Sequence, residues 1–252
     1  MVNFVGAGPG AVDLITLRGK KLIEQADIII YAGSLVNPEL LKYSKKNCKI
    51  YNSAEMTLEE IEEVFIDSEK NKKNIVRLHT GDPAIYGAIK EQMDILDKYG
   101  IEYDICPGVS SLFGASAALK AEYTIPGESQ SVIVTRMEGR TPVPEKESIS
   151  SFASHNATMV IFLSAGMTKK LSEKLIEGGY SPDTPAAIIY KATWKDEKVI
   201  ITTISNLTKS TAENNITKTA LIVIGHFLNS KNKRSKLYDP LFSHQFRFSE
   251  PV

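Results

Sequence analysis

The chain is poor in the residues that build disulfide frameworks and metal centres: its 252 residues include two cysteines and four histidines. Cys48 and Cys106 lie far apart and outside any C-x-x-C spacing, so neither a disulfide scaffold nor a cysteine-rich zinc site is encoded, no metal site is expected, and a reducing compartment is. No apolar run approaches the roughly 18 residues needed to cross a bilayer. Apolar stretches such as residues 28–31 and 186–190 are strand-sized, and Met1-Val2-Asn3-Phe4-Val5-Gly6 reads as a strand rather than a secretory leader, so a cytoplasmic protein with no membrane partner is expected. Net charge is also lacking, with 30 Lys plus Arg against 30 Asp plus Glu. That balance argues against nonspecific binding of nucleic acid, whose phosphates reward excess positive charge. What remains, 42% hydrophobic and 24% charged residues, is the composition of a globular protein.

Alternating patterns dominate the first half. Strands are predicted at residues 2–5, 27–31, 74–78 and 103–106, with helices at 14–26, from Thr57 to about Asn71, and at 85–99 and 109–119. Thr57-Leu58-Glu59-Glu60 has the form of a capping box, and Gly100 is a stop signal. This alternation predicts a mostly parallel sheet covered on both faces. A Pro-Gly pair within residues 120–127 marks a linker. Beyond it, strands are expected at 131–135, 158–163, 186–190, 198–203 and 220–224. The third and fourth of these, separated by a turn containing Trp194-Lys195-Asp196-Glu197, are expected to pair antiparallel. The predicted fold class is therefore α/β, with an N-terminal domain over 1–121 and a smaller mixed-sheet domain over 122–229. Residues 230–252 form a tail, first basic (Lys231, Lys233, Arg234, Lys236) and then aromatic (Tyr238, Phe242, Phe246, Phe248). Such a tail either frays or packs on something, a second subunit being one choice.

Three strand-to-helix turns carry the candidate chemistry. Gly6-Ala7-Gly8-Pro9-Gly10-Ala11 fits the dinucleotide fingerprint G-x-G-x-x-G/A, but Pro9 has no amide to offer a pyrophosphate. No acid follows the second strand, where Tyr31-Ala32-Gly33 stands, and Asp27 lies at its wrong end. The loop reads as a close-approach turn against a ligand or neighbouring backbone rather than as a phosphate cradle. The second turn, His79-Thr80-Gly81-Asp82-Pro83, offers a carboxylate, and read locally Asp82 is a helix N-cap with Pro83 at the first helical position. In the third, Cys106-Pro107-Gly108-Val109-Ser110-Ser111, the paired hydroxyls are best read as helix caps. No Ser-His-Asp set and no metal-ligand set accompanies them.

Taken in order, Val5-Gly6-Ala7-Gly8-Pro9-Gly10, Arg77-Leu78-His79-Thr80-Gly81-Asp82-Pro83, Pro107-Gly108-Val109-Ser110-Ser111 and Thr219-Ala220-Leu221-Ile222-Val223-Ile224-Gly225 resemble the tetrapyrrole (corrin/porphyrin) methyltransferases, over residues 2 to about 228. Tyr31-Ala32-Gly33-Ser34-Leu35-Val36, Pro126-Gly127-Glu128-Ser129-Gln130-Ser131, Thr135-Arg136-Met137-Glu138-Gly139-Arg140-Thr141-Pro142 and Ser235-Lys236-Leu237-Tyr238-Asp239-Pro240 are similar to the members that methylate C-11 of precorrin-4 or cobalt-precorrin-4. Relatives acting on uroporphyrinogen III carry an acid where this chain has Ala32-Gly33. That departure argues against their reaction and leaves no catalytic residue to carry over.

The resemblance implies S-adenosylmethionine as cofactor, held in a cleft between the two domains, a tetrapyrrole substrate, and a homodimer. Carried over position by position, it implies that Pro9, Gly81, Asp82, Ile85, Ser110, Ser111, Leu163, Ala192, Thr219 and Ala220 bind the cofactor. A macrocycle rich in carboxylates calls for arginine. Arg77, Arg136 and Arg140 are therefore the expected substrate contacts, followed by Lys191 and Lys195, while His79, Tyr86 and Glu138 are candidates for orienting the macrocycle or handling a proton. The competing readings are methylation at another ring carbon, a nucleotide-dependent oxidoreductase and a noncatalytic sensor.

Overall fold

The structure is a computed structural model that describes residues 1–230 and 235–248; of the basic residues predicted for the tail, Lys231, Lys233 and Arg234 lie outside the described residues. The chain divides into two compact units, Met1–Ala118 with Lys191–Lys198, and Leu119–Tyr190 with the chain from Val199 on. The short segment Lys191–Lys198 thus belongs with the first unit although it follows most of the second in sequence.

In the first unit the strands are β1 (Val2–Gly6), β2 (Ile28–Tyr31), β3 (Lys49–Asn52), β4 (Ile75–His79) and β5 (Tyr103–Cys106). The helices are α1 (Leu17–Gln25), α2 (Leu58–Lys70), α3 (Lys90–Tyr99) and α4 (Ser111–Leu119). The strands form one sheet in the order β3-β2-β4-β1-β5, and every pairing is parallel. Strand β3 is an element that the sequence pattern did not reveal. Both faces are apolar: Val2, Phe4, Ile28, Ile30 and Ile75 pack with Ile61 and Phe65 of α2 and Leu96 of α3. Val5, Ile29, Val76, Leu78 and Cys106 pack on the other side with Ile23 and Leu40. The predicted capping box starts α2, with Glu60 Oε2 accepting from Thr57 N at 2.7 Å, and Gly100, at φ 63°, ends α3.

One helix begins later than its apolar pattern suggests. The prediction of a helix from Ile85 fails because Tyr86 and Ala88 sit at φ 55° and 48°, so α3 starts only at Lys90. Asp82 is accordingly no helix cap. Its Oδ1 accepts from Ala84 N at 2.8 Å and its carbonyl from Ile85 N at 3.3 Å, closing a turn instead.

Strand order fixes where the chemistry can lie. After β1 the chain crosses over β4 to reach β2, and after β4 it crosses over β1 to reach β5, in the opposite direction. The carboxyl ends of β1 and β4 therefore flank a topological switch point, the usual ligand position in open parallel sheets.

The second unit holds β6 (Val132–Arg136), β7 (Thr158–Phe162), β8 (Pro185–Tyr190), β9 (Lys198–Thr203) and β10 (Ala220–Ile224), in the order β6-β7-β10-β8-β9. Pairing of β6 with β7 is parallel, while β10 runs antiparallel to both β7 and β8, so the sheet is mixed. Helices α5 (Ile149–Ala153), α6 (Thr168–Glu177) and α7 (Leu207–Glu213) pack on one face through Ile149, Leu171, Leu175 and Leu207. The described part of the tail is organised by Arg247, whose Nη2 donates to the carbonyls of Leu237, Asp239 and Phe242 at 2.7 to 3.2 Å. Its aromatic residues Tyr238, Phe246 and Phe248 stay exposed. Among the described residues, no helix is long and apolar enough to cross a membrane.

Candidate functional site

Three glycines let the loops after β1, β4 and β5 close on one another. A Cβ at Gly6 would lie 2.5 Å from Gly108 Cα and 2.6 Å from the Gly81 carbonyl, and one at Gly108 would run into that same carbonyl and Gly6. Gly8 and Gly81 pair as a two-residue antiparallel bridge, Gly8 N donating to Gly81 O at 3.2 Å and Gly81 N to Gly8 O at 2.8 Å. Ala7 N donates to the His79 carbonyl at 2.7 Å. Asp82 ties in the third loop, its Oδ2 accepting from Gly108 N at 2.8 Å.

The fingerprint loop therefore does a different job from the one its pattern suggests. In a dinucleotide fold its amides would face a pyrophosphate. Here the amides of Ala7 and Gly8 are bound to backbone carbonyls, Ala11 N donates to Thr193 Oγ1 at 2.9 Å, and Pro9 has no amide. The carbonyls are engaged as well: Asn37 Nδ2 donates to Gly10 O at 2.8 Å and Trp194 Nε1 to Pro9 O at 3.1 Å. These contacts satisfy the expectation of close approach by neighbouring backbone and occupy amides that a dinucleotide fold would turn toward its pyrophosphate.

Of the expected cofactor residues, Pro9, Gly81, Asp82, Ser110 and Ser111 come together at this switch point. Pro9 is buried, and its ring lies beside Gly114 of α4, where an added Cβ would be 2.9 Å away. Gly81, at φ 62°, packs on the backbone of Ser110 and Ser111. Ser110 is buried and starts α4 as read from sequence, its Oγ accepting from Leu112 N at 3.3 Å. Ile85 is half-buried in the turn after Asp82, and Tyr86 is exposed on left-handed backbone. Ala192 is buried in the segment whose next two residues hold the first loop.

Asn37, Thr193 and Trp194 were not singled out from sequence. The available signal was the sole tryptophan of the chain, placed in a turn.

Two of the expected substrate contacts point into the core. Arg77 and His79 alternate along β4 with Val76 and Leu78, which places them on the α2/α3 face beside Phe4. Arg77 is 6% exposed, donating from Nε to Gln92 Oε1 at 2.9 Å and from Nη1 to the Ile30 carbonyl at 3.2 Å; burial lowers its pKa to about 10. Arg77 is thus a core arginine, and the role predicted for it in gripping substrate carboxylates is withdrawn. His79 is 4% exposed, and burial, followed by the Arg77 charge, pushes its pKa down to about 3. It is a neutral imidazole facing the core, with its Nε2 buried and without a hydrogen-bond partner.

In the second unit, strand register gathers other expected residues. Ala220 stands opposite Tyr190, and continuing the Ile222–Ile161 pairing by two residues brings Ala220 level with Leu163. Arg136 pairs with Phe162 at the same end of the sheet. Leu163 (φ 53°) and Thr219 (φ 57°) both have left-handed backbone, and Leu163 is 63% exposed. Arg136 turns back on its own loop, donating to the carbonyls of Met137, Thr141 and Pro142 at 3.2, 3.3 and 2.8 Å. Glu138 pairs with Lys170 at 2.9 Å, which holds its carboxyl below the ordinary range. Arg140 and Lys195 are exposed, and Lys191 pairs with Asp196 at 2.6 Å. Among the described residues, no three His, Cys, Asp or Glu side chains are grouped to hold a metal.

Comparison with known proteins agrees with this geometry. The sequence model of the Tetrapyrrole (Corrin/Porphyrin) Methylases matches residues 1–208. A cobalt-precorrin-4 C(11)-methyltransferase of Methanocaldococcus jannaschii is 56% identical, covering 98% of this chain and 96% of its own. A precorrin-4 C(11)-methyltransferase of a Sinorhizobium species is 42% identical, covering 98% of each chain. The X-ray structure of a cobalamin biosynthetic enzyme, a cobalt-precorrin-4 methyltransferase, superposes with a TM-score of 0.88 at 47% identity, over 91% of this chain and 96% of that one. A match along most of its length, with the glycine loops at the switch point of a parallel sheet, establishes that the chain belongs to the tetrapyrrole (corrin/porphyrin) methylases.

Proposed function

We propose that this protein transfers a methyl group from S-adenosylmethionine to C-11 of cobalt-precorrin-4 in cobalamin biosynthesis. The observation that carries the proposal is the 56% identity, over nearly the whole of both chains, to a protein of that activity. The cobalt-containing substrate is preferred to metal-free precorrin-4 because identity to the relative named for the latter is 42%.

The residues at the β1/β4 switch point fit such a cofactor. S-adenosylmethionine carries no phosphate, so a loop whose amides of Ala7, Gly8 and Ala11 are already bound can still hold it. Bound there, it supplies a methyl group already activated by its sulfonium. The protein's part is to orient and to exclude water. Pro9, Gly81, Ser110 and Ser111 are the proposed walls, and Asp82, by bracing Gly108, keeps the second and third loops in register. Arg140 and Lys195 are exposed cations for the substrate carboxylates. No covalent intermediate on the enzyme is needed.

The test is turnover with a labelled methyl group on cobalt-precorrin-4, with the methylated carbon located by NMR. Label at C-11 supports the proposal, label at another ring carbon overturns the position, and binding of S-adenosylhomocysteine without turnover overturns the enzymatic role. We further infer, from the family resemblance, a cytoplasmic homodimer; a monomeric mass by light scattering overturns the dimer.

A further inference from the structure

The segment Lys191–Lys198 is built as a brace. Lys191 and Thr193 adopt φ 47° and 70°, which costs energy for residues with a Cβ and persists only where surroundings fix it. Several contacts do so. Trp194 N donates to the Lys191 carbonyl at 3.0 Å and Glu197 N to the Trp194 carbonyl at 3.1 Å. Thr193 N donates to the Glu197 carboxylate, Lys191 pairs with Asp196, and the Lys191 ammonium lies 5.4 Å from the centre of the Trp194 ring. So held, the segment aims two donor–acceptor groups at one target. Thr193 Oγ1 takes the Ala11 amide, and Trp194 Nε1 gives to the Pro9 carbonyl. The indole lies against Gly10, where any side chain would collide with it, and Thr193 Cγ2 and the Pro9 ring both face Gly114.

We propose that Thr193 and Trp194 are positioning residues for the cofactor loop, fixing the Pro9-Gly10-Ala11 peptide planes so that the first loop is formed before S-adenosylmethionine arrives. This rests on the methyltransferase reading above and adds the element that holds the loop. A loop held by hydrogen bonds from a separate, rigid segment loses less freedom on binding than one that must order itself. The segment also contains Ala192, so the same two hydrogen bonds join two stretches expected to touch the cofactor. The proposal predicts a contribution to affinity for the cofactor and little to the rate once it is bound.

The test compares Trp194→Phe, Thr193→Val and their double variant with the parent chain, using calorimetry with S-adenosylhomocysteine. Phe keeps the ring without the N–H, and Val keeps the shape without the hydroxyl. Each single variant should weaken binding about fivefold, the worth of one hydrogen bond. The double variant should weaken it by more than tenfold, with KM for S-adenosylmethionine rising while kcat holds. Thr193→Ser, which retains the acceptor, should restore parental affinity. Parent binding with unchanged affinity in both single variants overturns the brace alone. So does equal loss in Thr193→Ser and Thr193→Val. Failure of the parent chain to bind the homologue overturns the methyltransferase reading and the brace with it.

Discussion

At the strand ends of the first unit, glycine backbone meets glycine backbone: Gly6 and Gly108 meet each other and the Gly81 carbonyl with no room for a Cβ, and the amides of Ala7, Gly8 and Ala11 are bound by protein. At the Leu163 end of the second sheet the arrangement is reversed, with an exposed leucine and a threonine standing on left-handed backbone. The positive-φ residues cut across the contrast. Lys72, Lys120, Asn156 and Asn215 follow helix ends, where left-handed backbone is an ordinary terminator. Tyr86, Ala88, Leu163, Lys191, Thr193 and Thr219 have no helix end to explain them and lie in the loops of the expected site. Four of these six, Tyr86, Ala88, Lys191 and Thr193, belong to the first unit, which thus combines close backbone packing with strained loops, while the second unit contributes Leu163 and Thr219.

The strongest break in this comparison is a methyl group. Gly108→Ala forces a Cβ into the Gly81 carbonyl and Gly6, whereas at Gly139 the nearest atom would be a Met167 methyl 3.7 Å away. Gly108→Ala should cost about 3 kcal/mol or more, and Gly139→Ala should stay within about 0.5 kcal/mol. Urea midpoints measure both, and similar values would show that the first unit's loops are looser than described. Next come the two arginines. Arg77→Met leaves Gln92 Oε1 and the Ile30 carbonyl without a buried donor, at about 3 kcal/mol. Arg136→Met removes contacts from a half-exposed loop and should cost below about 1 kcal/mol. If Arg77→Met instead spares stability and raises KM for the macrocycle, the expectation from sequence was right and its burial misleading.

That reversal for Arg77 shows what a sequence exposes and what it hides. Nine of the ten strands were legible to within a residue or so, because parallel and mixed sheets write their burial into β-branched runs such as Ile28-Ile29-Ile30. Strand β3, Lys-Ile-Tyr-Asn with two exposed residues, has no such run and went unread. The three glycine loops were found as motifs, yet their partners were not, since Gly6 and Gly108 are a hundred residues apart and meet only through strand order. Arg77 faces the core for a reason that the fold class supplies. A strand in a parallel sheet is covered on both faces, so a charge in its middle points into packing whichever way it faces. The helix drawn from Ile85 failed because Tyr86 and Ala88 carry no residue-type mark of left-handed backbone.

His79 offers a smaller and separate break. Its folded pKa of about 3 lies below the ordinary value of 6.5, so the folded state favours the neutral ring. Its contribution is complete above about pH 6.5 and is lost as pH falls toward the folded value, up to about 2 kcal/mol between pH 6.5 and 5. His79→Phe should flatten the stability profile in that window, read from urea midpoints at pH 7, 6 and 5. An unchanged slope would place the proton uptake on other groups and His79 in contact with water.

The smallest expected effect is the most direct test of the second unit. Leu163 has φ 53° and is 63% exposed, so Leu163→Gly gives up little burial and relieves left-handed strain. Backbone relief of about 1 kcal/mol should slightly exceed the entropy that glycine restores to the unfolded chain, raising the thermal midpoint by about a degree. If the strain is retained for the sake of the side chain, the stabilised variant should bind S-adenosylhomocysteine more weakly than the parent. Gain in stability with undiminished affinity would mean that the leucine is tolerated at this strand end rather than used there, and the same substitution at Thr219 would then be expected to behave alike.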